Sequence, residues 1–562
     1  MKIFRIQRGV LLALTLLSAC AAADPSAGLA TNRGADTAVG VYGAYLDGQF
    51  AMTQADPAEA ATWYLRALAA DPSSPELTQQ AFLASALGGR QEAVQLARQL
   101  PDNQAAQLLL GDSEARAGNW AAAEQRFRAL PRQGLTQLLQ PLLVAWAQAG
   151  AGHTDAAIAT LSPLIEGQRF RGVYALHAAM ILDLAGSNTE AGRYYRLAQA
   201  EFPGLDLRLA QILASWNVRS GHPAEAMHML GRVAQDAPYL GIALPGLIAD
   251  SNKRVVTRAT DGIAEAYLAL AGALRQQDSG DFALLLLRFA LDLRPDFTAA
   301  RLMAAEIETS GSHPDFALQM LAPVADDDAL GAPARLQRAT LEDRLGHTDQ
   351  ALRELARLSQ DYPDSPLPDA QIGDIQRLKQ HYPDAIAAYN KAIDRVKTQG
   401  QTAWLLYYSR GIAYDRSHQW PAAQADFEHA LALAPDQPAV LNYLGYSWAD
   451  SDTHLAEARQ MIDKAMQQRP NDGAIIDSLG WVLLREGDSK AAVSTLERAV
   501  ELEPQDSTIN GHLGDAYWAA GRKLEATYQW RRALALNPEP GDVAKLEAKL
   551  NGTHQSAGVT GQ

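Results

Sequence analysis

Three prolines, Pro470, Pro504 and Pro538, stand 34 residues apart, and the residues between them repeat in register. Gly445, Gly480 and Gly514 align, as do Ala458, Ala492 and Ala526, and then Ala465, Ala499 and Ala533. A fixed period of this length restricts the chain to one supersecondary unit used again and again, each copy burying its face against the next. Within the unit, position 8 is small, position 15 is glycine or another turn former, and position 20 is alanine; position 24 is large and apolar, 27 small or apolar, and 32 proline. Small residues let two helices approach closely, the glycine turns the chain between them, and the proline ends the second helix.

Weaker copies extend this pattern toward the N-terminus. The first carries Gly48, Ala60, Tyr64, Ala67 and Pro72, and the sixth carries Ala214, Gly221, Ala226, Leu230 and Pro238. The copies around Ala81 to Leu100 and Ala305 to Leu321 are degenerate. About 14 units are expected in all. The next closing proline after Pro238 is Pro295, so the period is broken by extra residues. The expected segments are an N-terminal array at 41–238, a longer connection at 239–262 with a short helix near Val255 to Ala259, a middle array at 263–396 and a regular array at 404–538. A capping helix at 539–551 follows, with Val543, Leu546 and Leu550 on one face, and then a disordered tail at 552–562.

The chain has 562 residues, of which 48% are hydrophobic and 20% charged, a composition that can bury a core. A formal net charge of −15 argues against a general nucleic-acid binder, which needs a basic face. Cys20 is the single cysteine, so neither an internal disulfide nor a cysteine-based zinc cluster can form. Lys2, Arg5 and Arg8 precede the short apolar run Val10 to Leu17, which reads as a signal peptide at 1–19 rather than a membrane span. The tetrad Leu17-Ser18-Ala19-Cys20 resembles the bacterial lipobox. That resemblance implies cleavage before Cys20, acylation of the cysteine, and outer-membrane sorting facing the periplasm. Residues 20–40 read as a flexible tether.

No HExxH, zinc-ligand spacing, GxGxxG, GxxxxGK[ST] or GxSxG occurs, and the twelve histidines are scattered in the manner of solvated residues. Glu59, Asp155, Glu190, Glu225, Asp384, Glu457 and Glu525 each stand one residue before the position-20 alanine, so they belong to the repeat and not to an acid–base pair. No enzyme activity, cofactor or metal site is expected.

The 34-residue period with its small residues and closing proline resembles the tetratricopeptide repeat. The resemblance implies an all-α solenoid, a right-handed superhelix of helix–turn–helix units. The motifs LNYLGYSWAD, DSLGWVLL and HLGDAYW, with the signal, resemble the tetratricopeptide lipoproteins of Gram-negative bacteria, which act as scaffolds or adaptors in envelope assembly, secretion or cell-wall enzyme control. In that family, positions 2, 5, 9 and 12 of each first helix line the concave face. Carried over, they place Leu405, Tyr408, Ile412 and Asp415 there, then Asn442, Tyr446 and Ala449, then Asp477, Trp481 and Leu484, then Asp515 and Trp518. Tyr408, Tyr446, Trp481 and Trp518 would form an aromatic strip, while Trp404, Trp448 and Trp530 belong to the core. The expected partners are periplasmic or envelope proteins, with the membrane reached through Cys20 and no nucleic acid. A second reading has the same aromatics stacking on peptidoglycan or exopolysaccharide sugars. The positions of the family's basic clamp carry Asn, Asp and Tyr, so capture of a terminal carboxylate is not expected.

Overall fold

The computed structural model describes residues 40–558 apart from 133, 135, 168–169, 203, 276–279 and 397–402. The signal segment, Cys20 and the tether before Gly40 lie outside the described residues. Among the described residues there are 30 α-helices, one 3-10 helix and no strand. Apart from the connection and the terminal helix, the helices fall into 14 consecutive helix–turn–helix pairs, and first helices stack on first helices along the array. The result is an all-α solenoid. The degenerate copies are true pairs with a shortened second helix, Glu92–Ala97 in one case and Pro314–Leu321 in the other.

The physical roles of the repeat positions are visible in the packing. A Cβ on Gly480 would sit 2.4 Å from the Leu496 side chain, and one on Gly514 would sit 2.4 Å from Trp530. Position 8 is small because position 24 of the same unit lies directly against it. Ala492, Leu496 and Ala499 are all fully buried, as are Ala458, Ile462 and Ala465. Gly487 closes the first helix of its unit at φ 89°, its N–H reaching Leu484 O at 3.1 Å while the Asp488 N–H reaches Leu483 O at 2.9 Å. The extra residue near Asp452 is absorbed in the turn, where Asp452 and His454 both take positive φ. Glu59, Asp155, Glu190, Glu225, Asp384, Glu457 and Glu525 all fall in the first turn of a second helix, where a carboxylate offsets the positive end of the helix dipole.

The connection after Pro238 redirects the chain. It begins with the 3-10 helix Pro238–Ala243 and the helix Leu244–Asp250, and residues 251–258 then run without helix. The short helix thus lies earlier than Val255 to Ala259, and the following helix begins at Ala259, inside the expected connection. Asp261 explains the shift, because its Oδ2 accepts from the backbone N–H groups of Thr257 and Arg258, both at 3.0 Å, and holds that stretch non-helical. The strap is pinned to the earlier array. Ser215 Oγ donates to Lys253 O at 2.5 Å, and Arg254 lies 3.4 Å from Asp183, which also accepts from Arg219 and Tyr195.

The strap delivers the pair Ala259–Arg275 and Gly280–Leu293 onto the first helices of the N-terminal array, chiefly Thr136–Gly150. Tyr267 Oη donates to the buried Asp112 at 2.9 Å across 155 residues, and Gly262 lies against Trp146 so closely that a Cβ would meet the indole at 2.2 Å. One hydrophobic cluster runs from Ala51 to Ala304. The face formed by the first helices of the first array is therefore covered by the chain's own returning pair.

At the other end the terminal helix runs Pro540–Gly558, seven residues beyond the expected cap and into the stretch read as a tail. Gly552 does not stop it, since a single interior glycine costs only about 1 kcal/mol relative to alanine and no proline follows.

Candidate partner-binding groove

The first helices of the last four units are Trp404–Arg416, Pro438–Asp450, Gly473–Arg485 and Ser507–Ala519. Asp472 and Asp506 start the last two, their carboxylates accepting from the N–H groups of Ile475 and Ile509. These helices position the side chains expected in the groove, and the structure divides them into three groups.

The central group is the tightest. His512 stacks on Trp481 with ring centroids 4.2 Å apart and planes 25° apart, and Tyr446 lies 5.9 Å from the same imidazole. The buried Asp477 faces His512 Nδ1 at 2.9 Å. Burial acts to lower the His512 pKa, but the Asp477 carboxylate outweighs it and holds the imidazole above its ordinary value. Burial drives the Tyr446 phenol far up, so it stays neutral. Trp481 Nε1 and Asn442 Oδ1 make no hydrogen bond among the described residues. A donor and an acceptor are thus left open beside the rings, and unpaired buried groups of this kind carry a free-energy cost.

The second group is Tyr408 with Asp415. Tyr408 is half-buried among Trp404, Phe427 and Tyr443, at 6.2, 6.0 and 6.1 Å, and Asp415 accepts from Tyr443 Oη at 2.8 Å. Both are taken up by packing between neighbouring units. The third group is Asp515 with Trp518. Asp515 accepts from Trp530 Nε1 at 2.9 Å and from Lys549 Nζ at 2.7 Å, while Trp518 lies 5.5 Å from Trp530. No ring contact joins these groups among the described residues, so the four aromatics form separate clusters rather than one strip. Ala449 is fully buried and lines no groove; Trp448 and Trp530 are buried, and Trp404 is half-buried.

His512 is the residue that the positional rule passes over, because it stands at position 6. Asp477 and His512 are 35 residues apart, one period plus one, and position 6 of a first helix faces position 5 of the helix before it. The same reading of histidines as solvated also fails for His177, which is buried and accepts from Trp146 Nε1 at 2.9 Å. No group of three or more metal-ligating side chains occurs among the described residues, and no described helix is long and apolar enough to cross a membrane.

The family model described as Tetratricopeptide repeat matches residues 336–401, 408–473 and 478–540, the stretch that holds this groove. Over those stretches the chain matches tetratricopeptide repeats. Among curated proteins, a TPR repeat-containing protein of Pseudomonas aeruginosa is 35% identical over 96 residues, which cover 17% of this chain and 16% of that protein. Bacteriophage adsorption protein A of Escherichia coli is 35% identical over 85 residues, covering 15% of this chain and 8% of that protein. The chain therefore spans a small part of the length of either relative. Among solved structures, a chain of the APC/C hetero-tetramer Cut9–Hcn1 is 14% identical and aligns over 90% of this chain and 96% of its own, with a TM-score of 0.38. Yeast Tom70 is 13% identical and aligns over 93% of this chain and 97% of its own, with a TM-score of 0.34. Tetratricopeptide repeats generally mediate protein–protein interaction.

Proposed function

We propose that this chain is a membrane-anchored periplasmic scaffold or adaptor that binds protein partners through the concave face of its closing repeats, in envelope assembly, secretion or cell-wall enzyme control. The observation that carries this reading is the Trp481–His512–Tyr446 cluster on three consecutive first helices, with Trp481 Nε1 and Asn442 Oδ1 unpaired beside it. Half-buried aromatic residues are favoured anchors at protein interfaces. The first array offers no such face, since its own returning pair fills it. The membrane anchor and the compartment rest on the lipobox-like Leu17 to Cys20.

Crosslinking and pull-down from the envelope, comparing wild type with Trp481→Ala/Trp518→Ala, tests the groove. The double variant should lose partners that wild type recovers. Recovery of the same set by a variant with wild-type circular dichroism would sink the reading. Palmitate labelling should mark wild type and not Cys20→Ala, and label on both would remove the anchor. The carbohydrate reading has less support, because sugar stacking needs an open ring face. Trp481 carries His512 on one face, and Trp518 has Trp530 and the Lys523 ammonium beside it.

A further inference from the structure

The groove of the closing repeats already holds a helix of this chain. Glu539, just before the terminal helix, pairs with Arg416 at 2.9 Å across 123 residues. Arg416 ends the first helix of the Trp404–Arg416 unit, three units before the last. Ten residues after Glu539, Lys549 Nζ donates to Asp515 at 2.7 Å. Between these two pairs Leu546 is buried, 3.8 Å from where a Cβ on Gly511 would stand. Asp542 lies close enough to Tyr446 for its charge to help keep the phenol protonated, and Asp450 lies close enough to Lys545 for the two charges to attract. The terminal helix thus reaches from the Trp404–Arg416 unit to the last one and passes beside Tyr446 and Asp515.

It is held lightly. In Pro540 to Asn551 only Leu546 is buried, with Val543 and Leu550 half-buried, whereas the neighbouring helix Ser507–Ala519 buries eight residues. The Arg416 and Glu539 side chains are 48% and 65% exposed, and ion pairs in that setting contribute little. An element with few buried contacts opens at low cost.

We propose that the terminal helix is a cis-acting occupant of this groove, displaced by a helical segment of a partner protein that carries the same pattern. The segment would present a carboxylate to Arg416, an apolar side chain seven positions later beside Gly511, and a cation three positions after that against Asp515. Recognition of an amphipathic helix through anchors at such spacings is a common mode of binding in grooves. The proposal rests on the groove reading above and supplies its partner chemistry.

The probe is a fluorescein-labelled synthetic peptide of residues 538–558, read by anisotropy against the full mature chain. In wild type the tethered copy competes from a high effective concentration. Glu539→Arg/Lys549→Glu releases the tethered helix without touching the groove. Hydrogen exchange across 540–558 should rise in this variant, and it should bind the wild-type peptide about tenfold tighter or more than wild type does, since apparent affinity scales with the open fraction. Arg416→Glu/Asp515→Lys should lose the wild-type peptide and take the charge-reversed one. Unchanged exchange in the release variant overturns the proposal, as does peptide binding equal to that of wild type. The peptide assay needs no envelope partner. Peptide capture alongside an unaffected pull-down would sink the adaptor reading alone, and the converse would sink this proposal alone.

Discussion

Position 8 sets how closely the two helices of a unit approach, and one methyl group tests it. Gly480→Ala and Gly514→Ala would each drive a Cβ to 2.4 Å from the position-24 side chain. Overpacking of this kind costs about 1–3 kcal/mol, against a gain of about 1 kcal/mol in helix propensity. At Gly445 the nearest atom, on Ile462, is 3.0 Å away, so the two effects nearly cancel. Urea midpoints should therefore fall for Gly480→Ala and Gly514→Ala and stay close to wild type for Gly445→Ala.

The two buried histidines should respond to pH with opposite sign. Burial pushes His177 down to about 3 from an ordinary 6.5, and its Nδ1 must stay an acceptor because the Trp146 indole can only donate. The folded state therefore takes up this proton less readily than the unfolded one. His177 contributes stability that is present above pH 6.5 and lost as pH falls toward 3. His512 is raised, so its contribution is full below 6.5 and is lost as pH climbs through its folded value. Thermal melts from pH 5 to 8.5 should show the margin of wild type over His512→Asn shrinking as pH rises. The margin of wild type over His177→Gln should grow over the same range.

At the scale of elements, the helix pairs were legible wherever small residues and prolines kept their period, because a pair is specified by contacts within about 34 residues. The degenerate pairs form as well, because the motif residues they keep, Ala81 and Ala93 in one and Ala305, Ala317 and Leu321 in the other, are buried in the packing. The strap was legible only as a gap in the period. Its conformation depends on one side chain, Asp261, which satisfies the N–H groups of Thr257 and Arg258. Asp261→Ala should cost about 1–2 kcal/mol, the usual loss for removing a capping carboxylate. The loss should appear as faster amide exchange confined to 251–262, and uniform exchange across the array would contradict it.

At the scale of the molecule, the returning pair converts the first array from an open groove into a packed body. Gly262 is where this closure is most sensitive, as its Cα lies against the Trp146 indole. Gly262→Val should expel the pair and expose the strap. Limited proteolysis should then cut within 251–258, and small-angle scattering should show a larger radius of gyration, while amide exchange in 438–535 remains as in wild type. A radius unchanged from wild type would show that the pair is held by other contacts.

The sequence by itself determined the all-α solenoid, the small residues at position 8 and the large ones at position 24, and the placement of the groove residues on first helices, because each depends on short-range spacing that a period displays; that positions 8 and 24 of one unit meet was shown by the structure. Only the tertiary structure decided which residues meet across the array. Tyr267 reaches Asp112 across 155 residues, Arg416 reaches Glu539 across 123, and His512 finds Asp477 one position outside the repeat's register. The first arises from the strap that returns the chain onto the earlier array, the second from the terminal segment that reaches back across the closing units, and the third from consecutive first helices meeting at positions 6 and 5. A repeat looks the same whether its concave face is open or filled, so nothing in the period could announce that the first groove is packed shut and the last is spanned by the terminal helix.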